Sequence, residues 1–313
     1  MRALVTGVAG FIGSTLAEQL LVDGADVVGL DCFTDYYPRA LKERNLSTAR
    51  RHPRFRFVES RIQDADLRSL LADRTHVFHL AAQAGVRKSW GRDFSVYTSN
   101  NVEATQVLLE SCVGLPLERV VYSSSSSVYG DNAPLPMRED ALPQPVSPYG
   151  VTKLAAEQLC YLYYVNERVP TVSLRYFTVY GPRQRPDMGF HKFLRATLLD
   201  QPITVYGDGE QTRDFTFVHD AVAANIAAAV RGVPGRVYNI GGGSRVSINE
   251  VIEMIGRVSG RRPRITVDPA QKGDMRHTCA DTSRARADLG FVPKVGLEEG
   301  LAAEHAWLAE LLS

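Results

Sequence analysis

Short apolar runs alternate with amphipathic stretches through the first half of the chain. Ala3-Leu4-Val5-Thr6 is continuous and apolar, and Phe11, Ile12, Leu16 and Leu20 then recur at helical spacing as far as Leu21. The repeat changes from that of a buried strand to that of a helix within a few residues, which predicts strand, turn and helix in that order. A second run, Asp26 to Leu30, closes a first βαβ unit. Further β-type runs stand at Arg56 to Val58, His76 to Leu80, Arg119 to Ser123 and Thr171 to Arg175, and the helical stretches between them include Asp93 to Val113 and Pro148 to Glu167. Strands that lack polar alternation and are separated by helices predict an α/β fold with a doubly wound parallel sheet.

The pattern breaks near Tyr180 into short pieces rich in glycine and proline, first Gly181-Pro182-Arg183-Gln184-Arg185-Pro186 and then Tyr206-Gly207-Asp208-Gly209. A smaller C-terminal lobe over 181–313 is expected after a main domain over 1–180. Phe217 to Tyr238 has the pattern of a helix and a strand, so a segment near 215–242 should return to the main sheet. The serine run Ser123 to Ser127 follows an apolar strand and precedes Val128-Tyr129-Gly130. It reads as a strand end pointing into a cleft rather than as a linker.

Three glycines punctuate the first turn. At GxxGxxG spacing, Gly7 permits the tight turn, Gly10 lets backbone approach a pyrophosphate, and Gly13 lets helix pack on strand. The helix N-terminus then faces the phosphates of a dinucleotide in a Rossmann-type arrangement. Asp31 ends the second strand, where an acid that grips the adenine ribose belongs. Its charge would repel a 2′-phosphate, so NAD is the expected cofactor. Ordinary turn glycines are the competing reading, and strand, helix and acid in sequence argue against it.

Tyr149 and Lys153 lie four residues apart in Ser147-Pro148-Tyr149-Gly150-Val151-Thr152-Lys153, so on a helix they share a face. A phenol ordinarily titrates near pH 10 and serves as a base near neutrality only when cations stabilise its phenolate. Lysine can supply that charge beside a nicotinamide ring. Alone the pair would read as an ordinary amphipathic surface; behind a glycine fingerprint it reads as a hydride and proton site.

Composition narrows the rest. The chain has 313 residues and a formal net charge of +1, with no basic block, so neither nucleic acid nor an anionic membrane is an expected partner. Four scattered cysteines without a CxxC, an N-terminus that enters a strand without a charged leader, and no apolar run of membrane-spanning length suit a cytoplasmic protein. The seven histidines show no ligand spacing, and no metal site is expected.

Taken together, Thr6 to Gly13, His79-Leu80-Ala81-Ala82, Asn101-Val102, Ser125 to Gly130, Tyr149 with Lys153, Gly207 to Phe215 and Asn239-Ile240-Gly241 resemble the extended short-chain dehydrogenase/reductases that act on nucleotide sugars. The resemblance covers nearly the whole chain. It implies that Tyr149 is the base, that Lys153 lowers its pKa and holds the nicotinamide ribose, and that Ser125 bridges the sugar hydroxyl to the phenolate, with Ser124 or Ser126 as alternatives. It further implies cofactor contacts from Gly7, Gly10, Phe11, Ile12, Gly13, Asp31, Ile62, Leu80, Ala81, Ala82, Asn101, Tyr149, Lys153 and Tyr176. One departure stands out. Where the family usually has Asp-Ile against adenine, this chain has Arg61-Ile62, and an arginine cannot accept from the adenine amino group, though it can stack on the base.

Family members that dehydrate their sugar have Asp-Glu before Val-Tyr-Gly, and UDP-glucuronate decarboxylases typically carry Glu at the second of those positions. Here both are serine, Ser126 and Ser127, which leaves epimerisation. Thr178-Val179-Tyr180-Gly181-Pro182-Arg183-Gln184-Arg185-Pro186-Asp187-Met188 and Ala84-Gly85-Val86-Arg87-Lys88-Ser89-Trp90 look most like UDP-glucuronate 4-epimerases. The implied reaction oxidises C4 to a keto sugar, turns the sugar over and returns the hydride to the opposite face. A uronate adds a carboxylate that a guanidinium can bind bidentately. Arg185 is the first candidate for that contact, with a solvated loop arginine as the competing reading; Arg87 could serve instead or touch the diphosphate. Thr178 and Arg185 together would hold the carboxylate away from the alignment that loses carbon dioxide. Arg213 matches a diphosphate position, Asp274 a uridine-ribose position, and Ser125, Ser126, Val205 and Tyr206 complete the expected substrate contacts. A UDP-glucose or UDP-N-acetylglucosamine 4-epimerase, a UDP-glucuronate decarboxylase and a non-catalytic NAD sensor stay open. Helices over Asp93 to Val113 and Pro148 to Glu167 resemble those of the family's four-helix interface, so a homodimer is expected.

Overall fold

In the computed structural model, which describes residues 1–313, a glycine turn follows the first strand, and the sheet grows outward from it in both directions. The first unit is β1 (Arg2–Thr6), α1 (Phe11–Val22), β2 (Asp26–Asp31), α2 (Arg39–Leu46) and β3 (Phe55–Glu59). The chain then passes through α3 (Leu67–Leu71) to β4 (His76–His79), α4 (Phe94–Tyr97), α5 (Ala104–Cys112), β5 (Arg119–Ser125), α6 (Pro148–Glu167) and β6 (Thr171–Tyr176). After β7 (Val179–Tyr180), α7 (Gly189–Leu198), β8 (Ile203–Tyr206), β9 (Thr212–Asp214) and β10 (Thr216–Phe217), α8 (Val218–Arg231) leads to β11 (Val237–Ile240). The remainder is β12 (Arg245–Ser247), α9 (Ile248–Ser259), β13 (Ile265–Asp268), α10 (Ser283–Leu289) and α11 (Leu297–Leu312).

Seven strands form the main sheet in the order β11-β6-β5-β4-β1-β2-β3, with every neighbouring pair parallel. The order reverses between β1 and β4, and the crevice beyond the ends of those strands is where such sheets take a ligand. Both faces are covered, which is why the strands read as continuous apolar runs. Ala3 and Val5 point into one core with Leu16, Leu20, Val218 and Ala221; Leu4 between them points into the other with Leu67, Leu108 and Ala156. The returning segment takes its expected place, since α8 covers the sheet and β11 pairs with β6 from Val237↔Ser173 to Ile240↔Tyr176.

Beyond β6 the chain makes three two-stranded sheets, β7 with β10, β9 with β12 and β8 with β13. The core does not stop there. The same apolar cluster that holds Ala3 and Val5 continues through Phe190, Val251 and Ile255 to Leu301 and Leu308. The stretch expected as one helix over Asp93 to Val113 is α4 and α5 joined by a π-helical segment, Thr98–Glu103.

Candidate active site

The turn after β1 is built without side chains. Gly7 has φ 68°, and a Cβ there would stand 2.7 Å from the Ala81 backbone nitrogen. A Cβ on Gly13 would fall onto the Gly7 carbonyl oxygen. The first N–H groups of α1 have no intrahelical partner and face the crevice as donors for an anion. At the end of β2, Asp31 accepts from the backbone of Ala9 at 3.0 Å and of Phe33 at 2.8 Å, which fixes its carboxylate at the cleft. Burial raises its pKa and those backbone bonds oppose the rise.

One cleft is lined by Gly7, Gly10, Phe11, Ile12, Gly13, Asp31, Ile62, Leu80, Ala81, Ala82, Tyr149, Lys153, Tyr176 and Arg185. A glycine cradle, a helix N-terminus and an acid in a row fit an NAD-sized dinucleotide. Arg61 also lines it, 3.3 Å from the Ser99 hydroxyl. Asn101 departs from expectation. It is 1% exposed and bonds the Gln83 backbone on both sides and the Thr152 hydroxyl, so it braces the cleft wall while Asn100 lines the cleft. The π-helical register there turns Asn101 inward, which side-chain periodicity does not encode. Sequence reasoning also passed over Tyr36, Tyr37, Lys42 and Gln63, which line the same cleft. Two adjacent aromatics five and six residues after Asp31 were a legible signal; Lys42 stood in an ordinary charged helix and gave none.

The catalytic wall comes from β5 and α6. Ser147 caps α6 through the Gly150 N–H at 3.1 Å, and Pro148 starts it, so Tyr149 and Lys153 stand one turn apart in the cleft. Within the serine run, Ser123 bonds Tyr176 at 3.3 Å, Ser124 donates to Glu157 at 2.6 Å, and Ser126 is buried in the turn that follows. Ser125 accepts from the Ser127 N–H at 3.2 Å, and it is the serine whose hydroxyl favours the Tyr149 phenolate. Burial is the dominant effect on Tyr149 and raises its pKa; Ser125 and the Arg185 charge pull it down. Lys153 stands one turn further along α6. Its ammonium stands 4.5 Å over the Tyr122 ring, and burial lowers its own pKa to about 7.

Arg185 is no solvated loop residue. It is partly buried in the cleft, and Nε and Nη2 each donate to Asp187 at 3.0 Å. Arg87 lies elsewhere: it donates to Asp274 at 2.7 Å and stacks 4.2 Å over Tyr206. Arg213 donates from Nη1 to the Thr212 and Arg276 carbonyls at 2.9 and 3.3 Å, which leaves Nε and Nη2, and it has no carboxylate partner within salt-bridge distance. Arg87, Tyr206, Arg213 and Asp274 thus gather as an electropositive group away from Tyr149. Val205 can contribute only main chain. It is 3% exposed and its side chain packs with Ile203 and Ile252, so only its backbone can face a ligand. Thr178 sits between β6 and β7, partly exposed, and its carbonyl accepts from the Thr216 N–H.

Such a site can take a hydroxyl proton at Tyr149 beside a dinucleotide, hold a diphosphate on arginines, and present a guanidinium to a further anion. No group of histidine, cysteine, aspartate and glutamate is arranged to hold a metal ion. The model of the NAD dependent epimerase/dehydratase family matches residues 3–241. A UDP-glucuronic acid 4-epimerase from Bacillus cereus, solved with UDP-glucuronic acid and NAD, superposes with a TM-score of 0.97 at 45% identity, over 99% of this chain and 100% of that one. A Thermodesulfobacterium geofontis UDP-glucuronate 4-epimerase is 36% identical over 98% of this chain and 96% of its own. A Bacillus subtilis protein described as an uncharacterised UDP-glucose epimerase is 44% identical over 99% of both.

Proposed function

The chain belongs to the NAD dependent epimerase/dehydratase family, and on that premise we propose that it interconverts UDP-glucuronate and UDP-galacturonate by inversion at C4. The observation that carries the sugar assignment is Arg185, a guanidinium in the cleft whose charge reaches the Tyr149 phenol. A uronate places its carboxylate next to C4, where a neutral hexose would leave that charge without a substrate partner.

NAD, held by the glycine turn, Asp31, Tyr149 and Lys153, supplies the hydride acceptor and donor. Tyr149 takes the C4 hydroxyl proton as C4 becomes a ketone and gives it back after the sugar has turned. Ser125 holds the hydroxyl against the phenol. Lys153, whose pKa burial alone lowers to about 7, gains charge stabilisation when a phenolate forms beside it. Arg87 and Arg213 neutralise the diphosphate, and Asp274 accepts from the uridine ribose. The keto intermediate of a uronate is a β-keto acid, and Thr178 with Arg185 holds its carboxylate off the axis along which carbon dioxide would leave. Ser126 and Ser127 provide no carboxyl pair for water elimination.

In this reading residues 1–180 with the return near 215–242 serve the cofactor and the rest of 181–313 serves the nucleotide sugar. The protein is cytoplasmic, in keeping with four free cysteines, and dimeric through α4, α5 and α6. No helix is long and apolar enough to cross a membrane.

Arg185→Ala tests the assignment. It should lose roughly 2 kcal/mol or more of binding to UDP-glucuronate and release more carbon dioxide per turnover, with UDP binding intact. Unaltered affinity and unaltered carbon dioxide would sink it. A neutral UDP-hexose epimerase, favoured by the Bacillus subtilis relative's description, predicts that unaltered result.

A further inference from the structure

A guanidinium carries five N–H donors along a side-on and an end-on edge. Arg185 spends the side-on edge, Nε and Nη2, on the two oxygens of Asp187. Nη1 and the outer hydrogen of Nη2 are left, enough for a second bidentate carboxylate. Arg185 lines the cleft together with Tyr149 and Tyr36, whereas Asp187 does not line it. The aspartate therefore takes the side-on edge and leaves the end-on edge of the arginine to the cleft.

Asp187 is itself held by a residue of the cofactor side. The Tyr36 phenol donates to its Oδ2 at 3.2 Å, and Tyr36 comes from the loop after β2 that also carries Tyr37 and Thr34 along the dinucleotide cleft. Room for that phenol depends on Gly85, which has φ 104°, and a Cβ there would fall onto the Tyr36 hydroxyl. The Ala84-Gly85 segment, the loop after β2 and the Arg185 loop are thus keyed together around one carboxylate.

Resting on the reading of Arg185 as the contact for a uronate, we propose that Asp187 is the positioning residue for sugar specificity. It clamps the guanidinium side-on so that the end-on edge faces the C5 carboxylate, and Tyr36 fixes the clamp from the cofactor side. An unclamped arginine would surrender its rotamer freedom on binding each substrate, and the clamp meets that cost during folding instead. The opposite role, a resident carboxylate that the substrate must displace, would put Asp187 on the cleft side of Arg185.

The test uses the full chain with NAD bound and calorimetric affinities for UDP-glucuronate and for UDP. Asp187→Asn should weaken UDP-glucuronate about tenfold and leave UDP unchanged, with more carbon dioxide released per epimerisation. Tyr36→Phe, which keeps the ion pair, should move the same ratio in the same direction by less. UDP affinity reports whether each variant is folded. An unchanged ratio in both variants overturns the proposal, as does tighter binding of UDP-glucuronate by Asp187→Asn, which would make Asp187 a competitor. If Arg185→Ala weakens UDP-glucuronate while Asp187→Asn does not, the clamp alone fails; if Arg185→Ala changes nothing, the uronate reading falls and takes the clamp with it.

Discussion

Lysine is an expensive residue to bury charged, and Lys153 is 3% exposed with a pKa pushed down to about 7. The unfolded lysine titrates near pH 10.4. Between those values the unfolded chain binds more protons, so this group makes stability rise with pH across that window. Below it both states are protonated and the burial penalty is complete; above it both are neutral and the penalty vanishes. Lys153→Met in the cofactor-free protein should therefore gain melting temperature over wild type most at pH 7 and below, with the gap closing toward pH 10. A gap that ignores pH would contradict the assignment. The same residue shows what spacing alone can tell. Tyr149 and Lys153 share a helix face as read from the sequence, but Arg185, a second cation near the phenol, is brought from a loop thirty-odd residues away.

At the scale of elements, α6 carries more than the Tyr149 and Lys153 pair. One further turn along the same face, Glu157 takes two bonds from Arg175 on β6 at 3.0 and 2.6 Å and one from Ser124 on β5. Both members of this ion pair are almost wholly buried, 3% and 2% exposed. It ties the helix bearing Tyr149 to the strand bearing Ser125. Removing one partner strands a buried charge, so Glu157→Gln should cost about 3 kcal/mol or more in urea unfolding. Glu157→Gln with Arg175→Met should recover much of that loss, and an equal loss in single and double variants would refute the pairing. Helix α6 was legible because its signals are local: a serine cap and proline at the first position. The helix before it was not. Its π-helical register answers to Gln83 and Thr152, which reach Asn101 only in the folded chain.

The whole molecule leaves an apolar face open. Val151, Tyr161, Leu162 and Val165 on α6 and Val96 on α4 are each between 42% and 55% exposed. A row of this kind on the outside of a soluble protein marks an interface, and the proposed homodimer would cover it. Tyr161→Glu with Val165→Glu should halve the mass in sedimentation while the fold stays intact; an unchanged mass would place the dimer elsewhere or remove it. Sheet, helices and cofactor cleft could be read from strand spacing and three glycines because each is set within a few dozen residues. The substrate side was harder. Arg87 and Arg185 look alike in sequence, and only the approach of Asp274 to one and Asp187 to the other separates them. The same holds for Val205, whose side chain alternation along β8 sends into the core while Tyr206 points outward.

The most direct test is to incubate purified protein, without added NAD, with UDP-glucuronate and UDP-glucose separately and to follow C4 configuration by NMR. Conversion of the glucuronate to galacturonate, with UDP-glucose untouched, is the predicted result and would show a retained cofactor and a carboxylate-reading site together. Turnover of UDP-glucose with no turnover of the glucuronate would contradict it.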